Sequence, residues 1–195
     1  MANYDIEGTD ASEIFDLGSG GEYINARGGN DIVAGNDGDD IIRGGSGNDV
    51  LLGNLGNDTL YGGTGEDNIF GGRGNDTLYG GAGSDLVSGD FGSDILYGET
   101  GADIFYFNAR TAGFDEFGGT AVDTIMDFGV KGMADSLLFD DFGPGSSLVF
   151  AQDGANTVVG IDSDGDLVAD YQVVVVMNAT VADVAAVTSF GDLVI

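Results

Sequence analysis

Between Gly8 and Tyr106 the chain repeats one pattern every nine residues: a glycine-rich stretch, an acid, and three residues whose middle member is apolar. From residue 26 onward those middle members are Val33, Ile42, Leu51, Leu60, Ile69, Leu78, Val87, Leu96 and Phe105. One inward side chain flanked by two outward ones makes each triplet a short strand of period two. A three-residue strand buries almost nothing alone, so the period predicts strands stacked into a solenoid around one continuous core. Glycine at positions one, two and four of most units predicts turns with positive φ that aim their carbonyls toward a common centre.

The frame holds without insertion for eleven units. The last nine read from "ARGGNDIVA" to "GETGADIFY", and each carries aspartate at position six: Asp31, Asp40, Asp49, Asp58, Asp67, Asp76, Asp85, Asp94 and Asp103. The first two, "GTDASEIFD" and "LGSGGEYIN", carry Glu13 and Glu22 there, as a degenerate terminal cap would. Outward positions of alternate units place Tyr61, Tyr79 and Tyr97 in a row beside Thr59, Thr77 and Ile95, with Leu52, Phe70, Ser88 and Tyr106 on the opposite sheet. The tyrosine row is either a cross-strand stack that stabilises its sheet or a flat strip for a glycan or other surface ligand.

Residues 8–106 hold 26 of the 37 glycines, which marks a boundary between a repeat domain at 1–106 and a β-rich capping region at 107–195. In the second segment "DSDGD", Asp162 to Asp166, reads as a hairpin turn or an extra ion site, and Asp-Gly chemistry favours the turn. "TVAD", Thr180 to Asp183, has the form of a capping box opening a short helix through Val187.

Charge then limits the partners. With 34 acids against five bases (Arg27, Arg43, Arg73, Arg110 and Lys131) the formal charge is -29. A compact state so charged repels itself unless cations bind, and nucleic acid and anionic lipid are poor partners. The chain has no cysteine and no histidine, which removes disulfides, thiolate and imidazole metal sites and histidine-based catalytic triads. Oxygen ligands remain, and loops rich in carbonyls suit calcium better than magnesium. The first residues, "MANYDIEGTD", have neither the basic nor the apolar region of a Sec signal, and no apolar run is long enough for a transmembrane helix.

The unit GGxGxDxUx, with U a large apolar residue, resembles the nonapeptide of RTX proteins. The resemblance implies an all-β fold, a parallel β-roll of about five coils with a C-terminal β-rich cap. It also implies that calcium sits between loops one coil apart. Each ion would take position-two and position-four carbonyls and the aspartate of one loop, with position-one and position-three carbonyls and the aspartate of the next. Mapped here, one ion uses Gly63, Gly65 and Asp67 with Gly80, Ala82 and Asp85, and its neighbour uses Gly72, Gly74 and Asp76 with Gly89, Phe91 and Asp94. Continuing the map draws in the carbonyls of Gly29, Gly38, Gly44, Gly45, Gly47, Gly53, Asn54, Gly56, Gly62, Thr64, Gly71, Gly81, Gly83, Gly98 and Thr100. It gives roughly seven ions held by oxygen alone.

The segments at 123–142 and 157–176 resemble the region that follows the roll in serralysin-type secreted proteases, and the ending "SFGDLVI" resembles the uncleaved signal of type I secretion substrates. These resemblances imply a secreted, extracellular protein carried by a type I secretion exporter and folded by calcium outside the cell, acting at a cell surface or in a biofilm matrix as a structural or adhesive component. Seven residues precede the first repeat, so no catalytic site is expected. The alternative is a calcium-binding C-terminal module of a secreted protease or polysaccharide-modifying enzyme. A pore-forming toxin would need long apolar helices that the sequence lacks.

Overall fold

A computed structural model describes residues 5–108, 121–129, 134–140, 147–162, 171–179 and 188–190. The chain begins with β1 (Asp5–Glu7), β2 (Ile14–Asp16), β3 (Tyr23–Asn25), β4 (Ile32–Asp37), β5 (Ile41–Ser46) and β6 (Val50–Leu55). It continues with β7 (Thr59–Thr64), β8 (Asn68–Arg73), β9 (Thr77–Ala82), β10 (Leu86–Phe91), β11 (Ile95–Thr100) and β12 (Ile104–Asn108). Odd strands pair with odd and even with even, always in parallel and 18 residues out of phase, as in Leu60↔Leu78 and Leu51↔Ile69. The fold is therefore an all-β parallel roll, with two nonapeptides to each coil. Among the described residues there is no helix.

The roll outlasts the repeats. β13 (Asp123–Ile125) and β14 (Ser136–Asp140) add parallel strands to the two sheets, and β17 (Tyr171–Val176) and β18 (Thr188–Phe190) add one more each. Only β15 (Ser147–Asp153) and β16 (Asn156–Asp162) break the pattern, joining β17 as an antiparallel ribbon at the end of the ten-stranded sheet. Ile161 pairs with Tyr171 across that ribbon. Residues 163–166 of the expected "DSDGD" turn, the helix expected from Thr180 to Val187 and the final 191–195 lie outside the described residues.

The core is the stack that the ninefold period predicts. Ile24, Ile42, Leu60, Leu78, Leu96 and Ile125 form one inward row, and Val33, Leu51, Ile69, Val87, Phe105 and Leu137 form the other. All twelve are fully buried. At the cap the row thickens with aromatic rings: Phe107 stacks on Phe139 at 5.2 Å, and Phe105 tilts against Phe128 at 6.1 Å. The expected tyrosine row also forms, with Tyr61, Tyr79 and Tyr97 stacked at 4.7 Å and 5–8° between planes. Arg43 covers the outer face of Tyr61 at 4.2 Å from its centroid. The ring faces are thus turned toward one another, the arrangement that stabilises a sheet by cross-strand contact.

Candidate calcium-binding columns

Each loop between strands ends in its position-six aspartate, and the 18-residue register lines these up along the edges of the roll. In one column the backbone N–H groups of Glu13, Asp31, Asp49, Asp67, Asp85 and Asp103 donate to Oδ1 of Asp31, Asp49, Asp67, Asp85, Asp103 and Asp135, at 2.7–3.1 Å. In the other the N–H groups of Glu22, Asp40, Asp58, Asp76 and Asp94 donate to Oδ1 of Asp40, Asp58, Asp76, Asp94 and Asp123. One carboxylate oxygen per rung is therefore held by the coil before it.

The second oxygen is not. Oδ2 of Asp31, Asp40, Asp49, Asp58, Asp67, Asp76, Asp85 and Asp94, with Oε2 of Glu22, is buried and has no hydrogen-bond partner. The position-six aspartates from Asp31 to Asp103 are at most 2% exposed. A buried carboxylate left without a counter-charge is one of the costliest arrangements a fold can hold. Its consequence is visible in the acidities. Burial first, then the charge of column neighbours, pushes Asp58 and Asp85 up to about 7 and Asp76 up to about 8 against the pull of their N–H donors. Asp40, Asp49 and Asp103 rise to about 6 in the same way. Asp123 is fully enclosed, and burial with the neighbouring Asp94 carboxylate holds it far above the usual range.

Carbonyl oxygens converge on the same places. A Cβ built on Gly80 would stand 2.7 Å from Asp85 Oδ2 and 2.8 Å from the Gly98 carbonyl oxygen, and at Gly44, Gly53, Gly62 and Gly71 the corresponding atoms crowd the same point. At Gly63, Gly65, Gly72, Gly74, Gly81 and Gly83 it would meet the carbonyl of the same position one coil earlier. Position two keeps this backbone even without glycine: Asn36, Asn54, Asp90 and Glu99 have φ of 75°, 77°, 70° and 68°. The position-three carbonyls, including those of Thr64, Ala82, Phe91 and Thr100, each accept an N–H from position four of the previous coil. Among the described residues no three carboxylates come together as a metal-binding group. An ion between coils must therefore draw on carbonyls, and the donor set of paired carboxylates with converging carbonyls fits a hard cation of variable coordination.

Several contributors were hidden in the sequence. Position five forms its own ladder in the opposite sense: N–H of Asn48 and Glu66 donate to Oδ1 of Asn30 and Asn48, and N–H of Asn57, Asn75 and Ser93 to Oδ1 of Asp39, Asn57 and Asn75. Asp123 and Asp135 extend the columns beyond the repeats across 29 and 32 residues instead of 18. Asp127 ends one loop edge, its carboxylate accepting from the N–H groups of Gly98 and Glu99. The Asn-rich fifth position was open to reading, whereas the insertions that separate Asp123, Asp127 and Asp135 from the frame removed their register.

A family model described as RTX calcium-binding nonapeptide repeat (4 copies) matches over residues 16–51, 43–78, 52–87 and 79–109. Residues 16–109 are RTX calcium-binding nonapeptide repeats. The RTX repeats bind calcium and form a structural module. No curated protein matches the chain. Among solved structures it is similar to the extracellular lipase LipA from Serratia marcescens, at 16% identity and a TM-score of 0.38, over 96% of this chain. It spans 40% of that lipase's length. It is also similar to the AlgE6R3 subunit of the mannuronan C5-epimerase from Azotobacter vinelandii, at 22% identity and a TM-score of 0.36, over 98% of this chain and 88% of that one.

Proposed function

We propose that this chain is a calcium-folded structural or adhesive module that works outside the cell, at a cell surface or in a biofilm matrix, after passage through a type I secretion exporter. The observation that carries the reading is the run of nine buried carboxylate oxygens without partners. Roughly seven calcium ions would lie between successive coils from Asp31 to Asp103, each held by two aspartates and by position-one to position-four carbonyls. Each interior aspartate then serves two ions. Bound calcium supplies the positive charge that the columns lack. The chain's own residues do the rest: the N–H ladder orients each carboxylate, and the leucine and isoleucine rows exclude water behind it.

Export fits the same physics. At a formal charge of -29 the metal-free chain repels itself and stays open enough to thread a channel, and extracellular calcium at about millimolar concentration then drives folding. Among the described residues no helix is long and apolar enough to cross a membrane.

The test is far-UV circular dichroism of the full chain at neutral pH during a calcium titration, with magnesium as control. A cooperative gain of β-structure at about submillimolar to millimolar calcium, absent with magnesium, is the expected result. A chain already folded in excess chelator contradicts the proposal.

A further inference from the structure

The third position of the repeat serves the roll mainly through its backbone carbonyl, although on one flank the Thr100 hydroxyl also donates to the Gly81 carbonyl oxygen. On the ten-stranded sheet it carries Ser46, Thr64, Ala82 and Thr100 in register. On the eight-stranded sheet the same position carries Asp37, Leu55, Arg73 and Phe91. The large side chains therefore gather on one flank alone.

Leu55, Arg73 and Phe91 border an open, shallow groove of about 340 Å³ lined also by Asn54, Gly72 and Asp90. That volume is within the range of small-ligand sites. Gly72 pairs with Asn54 on one side and Asp90 on the other, so the groove dips where it has no side chain between two polar walls. Leu55 is 45% exposed, and the Arg73 guanidinium lies 5.4 Å from the centre of the Phe91 ring. Among the described residues Arg73 makes no ion pair, although the chain carries 34 acids.

Three observations select the ligand. The chain stays strongly negative even with every proposed ion bound, which disfavours an anion. Arg73 at the centre disfavours a cation. The strands beneath, β6, β8 and β10, are each paired on both sides, so no edge is free to take an extended peptide by strand addition. What remains is a neutral molecule with apolar faces and a rim of hydroxyls. We infer that the groove between Leu55, Arg73 and Phe91 binds a neutral saccharide, its ring face against Leu55 and Phe91 and its hydroxyls on Asn54 and Arg73. This rests on the proposed surface role and names its chemistry. It places the contact on the sheet opposite the tyrosine row, whose rings stack on one another beneath Arg43.

The experiment is an NMR titration of the calcium-loaded full chain with cellohexaose, maltohexaose, mannohexaose and xylohexaose, with trigalacturonate and a lysine-leucine peptide as charged controls. The expected result is saturable shifts at the amides of residues 54, 55, 73 and 91 with at least one neutral oligosaccharide. Arg73→Ala and Leu55→Ser each weaken it at least tenfold while leaving calcium-induced circular dichroism unchanged, and Tyr79→Ser leaves binding as it was. Shifts with none of the four, with a charged control alone, or centred on the tyrosine row overturn the inference. Circular dichroism of the same samples separates the two readings: a folded chain that binds no saccharide overturns this site alone, whereas a chain that stays unfolded in calcium overturns both.

Discussion

The rungs at the two ends of the columns and the rungs between them solve one problem in different ways. Glu13 turns its Oε2 to the N–H of Thr9 at 2.7 Å, and Asp135 turns its Oδ2 to the N–H of Gly129 at 2.7 Å. Asp135 thus has both oxygens held by backbone N–H groups, and Glu13 has its Oε2 so held. From Glu22 to Asp94 the second oxygen is buried with nothing to accept from. The loops there stack so closely that carbonyls, not N–H groups, surround it. The comparison teaches that the column from Glu13 to Asp135 is closed at its ends by backbone N–H groups and left electrostatically incomplete between them, as the second column is from Glu22 onward, and that a cation completes both.

Substitution of an interior carboxylate should have the largest effect. Asp76→Ala removes a ligand from two proposed ions, so the calcium midpoint by circular dichroism should rise about a hundredfold, equivalent to about 3 kcal/mol. Asp135→Ala should raise it far less. A deletion in the core is of similar size without being specific to calcium: Leu78→Ala should cost about 2–5 kcal/mol in urea denaturation of the calcium-loaded chain.

Acid should mimic the cation. Burial raises the interior aspartates above their ordinary 3.8, Asp40 to about 6, Asp58 and Asp85 to about 7 and Asp76 to about 8, so folding takes up protons. Their contribution to the metal-free roll is fully present below about pH 4. It is lost as pH rises through about 6 to 8. Circular dichroism in chelator should therefore show more β-structure at pH 5 than at pH 8, and the calcium midpoint should fall over the same interval as protons stop competing. A calcium midpoint that does not change with pH would remove the carboxylates from the account.

Smaller effects probe the ladders. Asn57→Ala breaks one link of the position-five column and should cost about 1 kcal/mol, measurable as a shift in the urea midpoint with calcium present. Glu13→Gln keeps an acceptor for the Thr9 N–H and should change the calcium midpoint by less than about twofold, equivalent to about 0.4 kcal/mol. A change as large as that for Asp76→Ala would erase the distinction between end and interior.

Much of this was legible because the repeat is its own alignment. The ninefold spacing of Val33 through Phe105 gave the inward rows, and the aspartates before them gave the columns. The outward tyrosine stack followed from register alone. Glu22 kept the frame yet looked degenerate, because a longer side chain at position six obscures that its carboxylate reaches the same buried place. Beyond Tyr106 the spacing between column members is set by loops of irregular length, so nothing in the sequence ties Asp123 to Asp94 or Asp135 to Asp103. The groove at Arg73 and Phe91 was invisible for another reason: position three varies freely in the repeat, and only the pairing of alternate units brings those side chains onto one flank.

The central claim is that the buried, unpartnered aspartate oxygens mark ion sites and the partnered carboxylates of Glu13 and Asp135 do not. Anomalous diffraction from crystals grown in calcium tests it directly. The account predicts peaks between successive coils from Asp31 to Asp103, ringed by carbonyl and carboxylate oxygens, and none beside Glu13 or Asp135. An ordered roll whose columns show only water or no peaks, or peaks as strong at the two ends as between them, would contradict it.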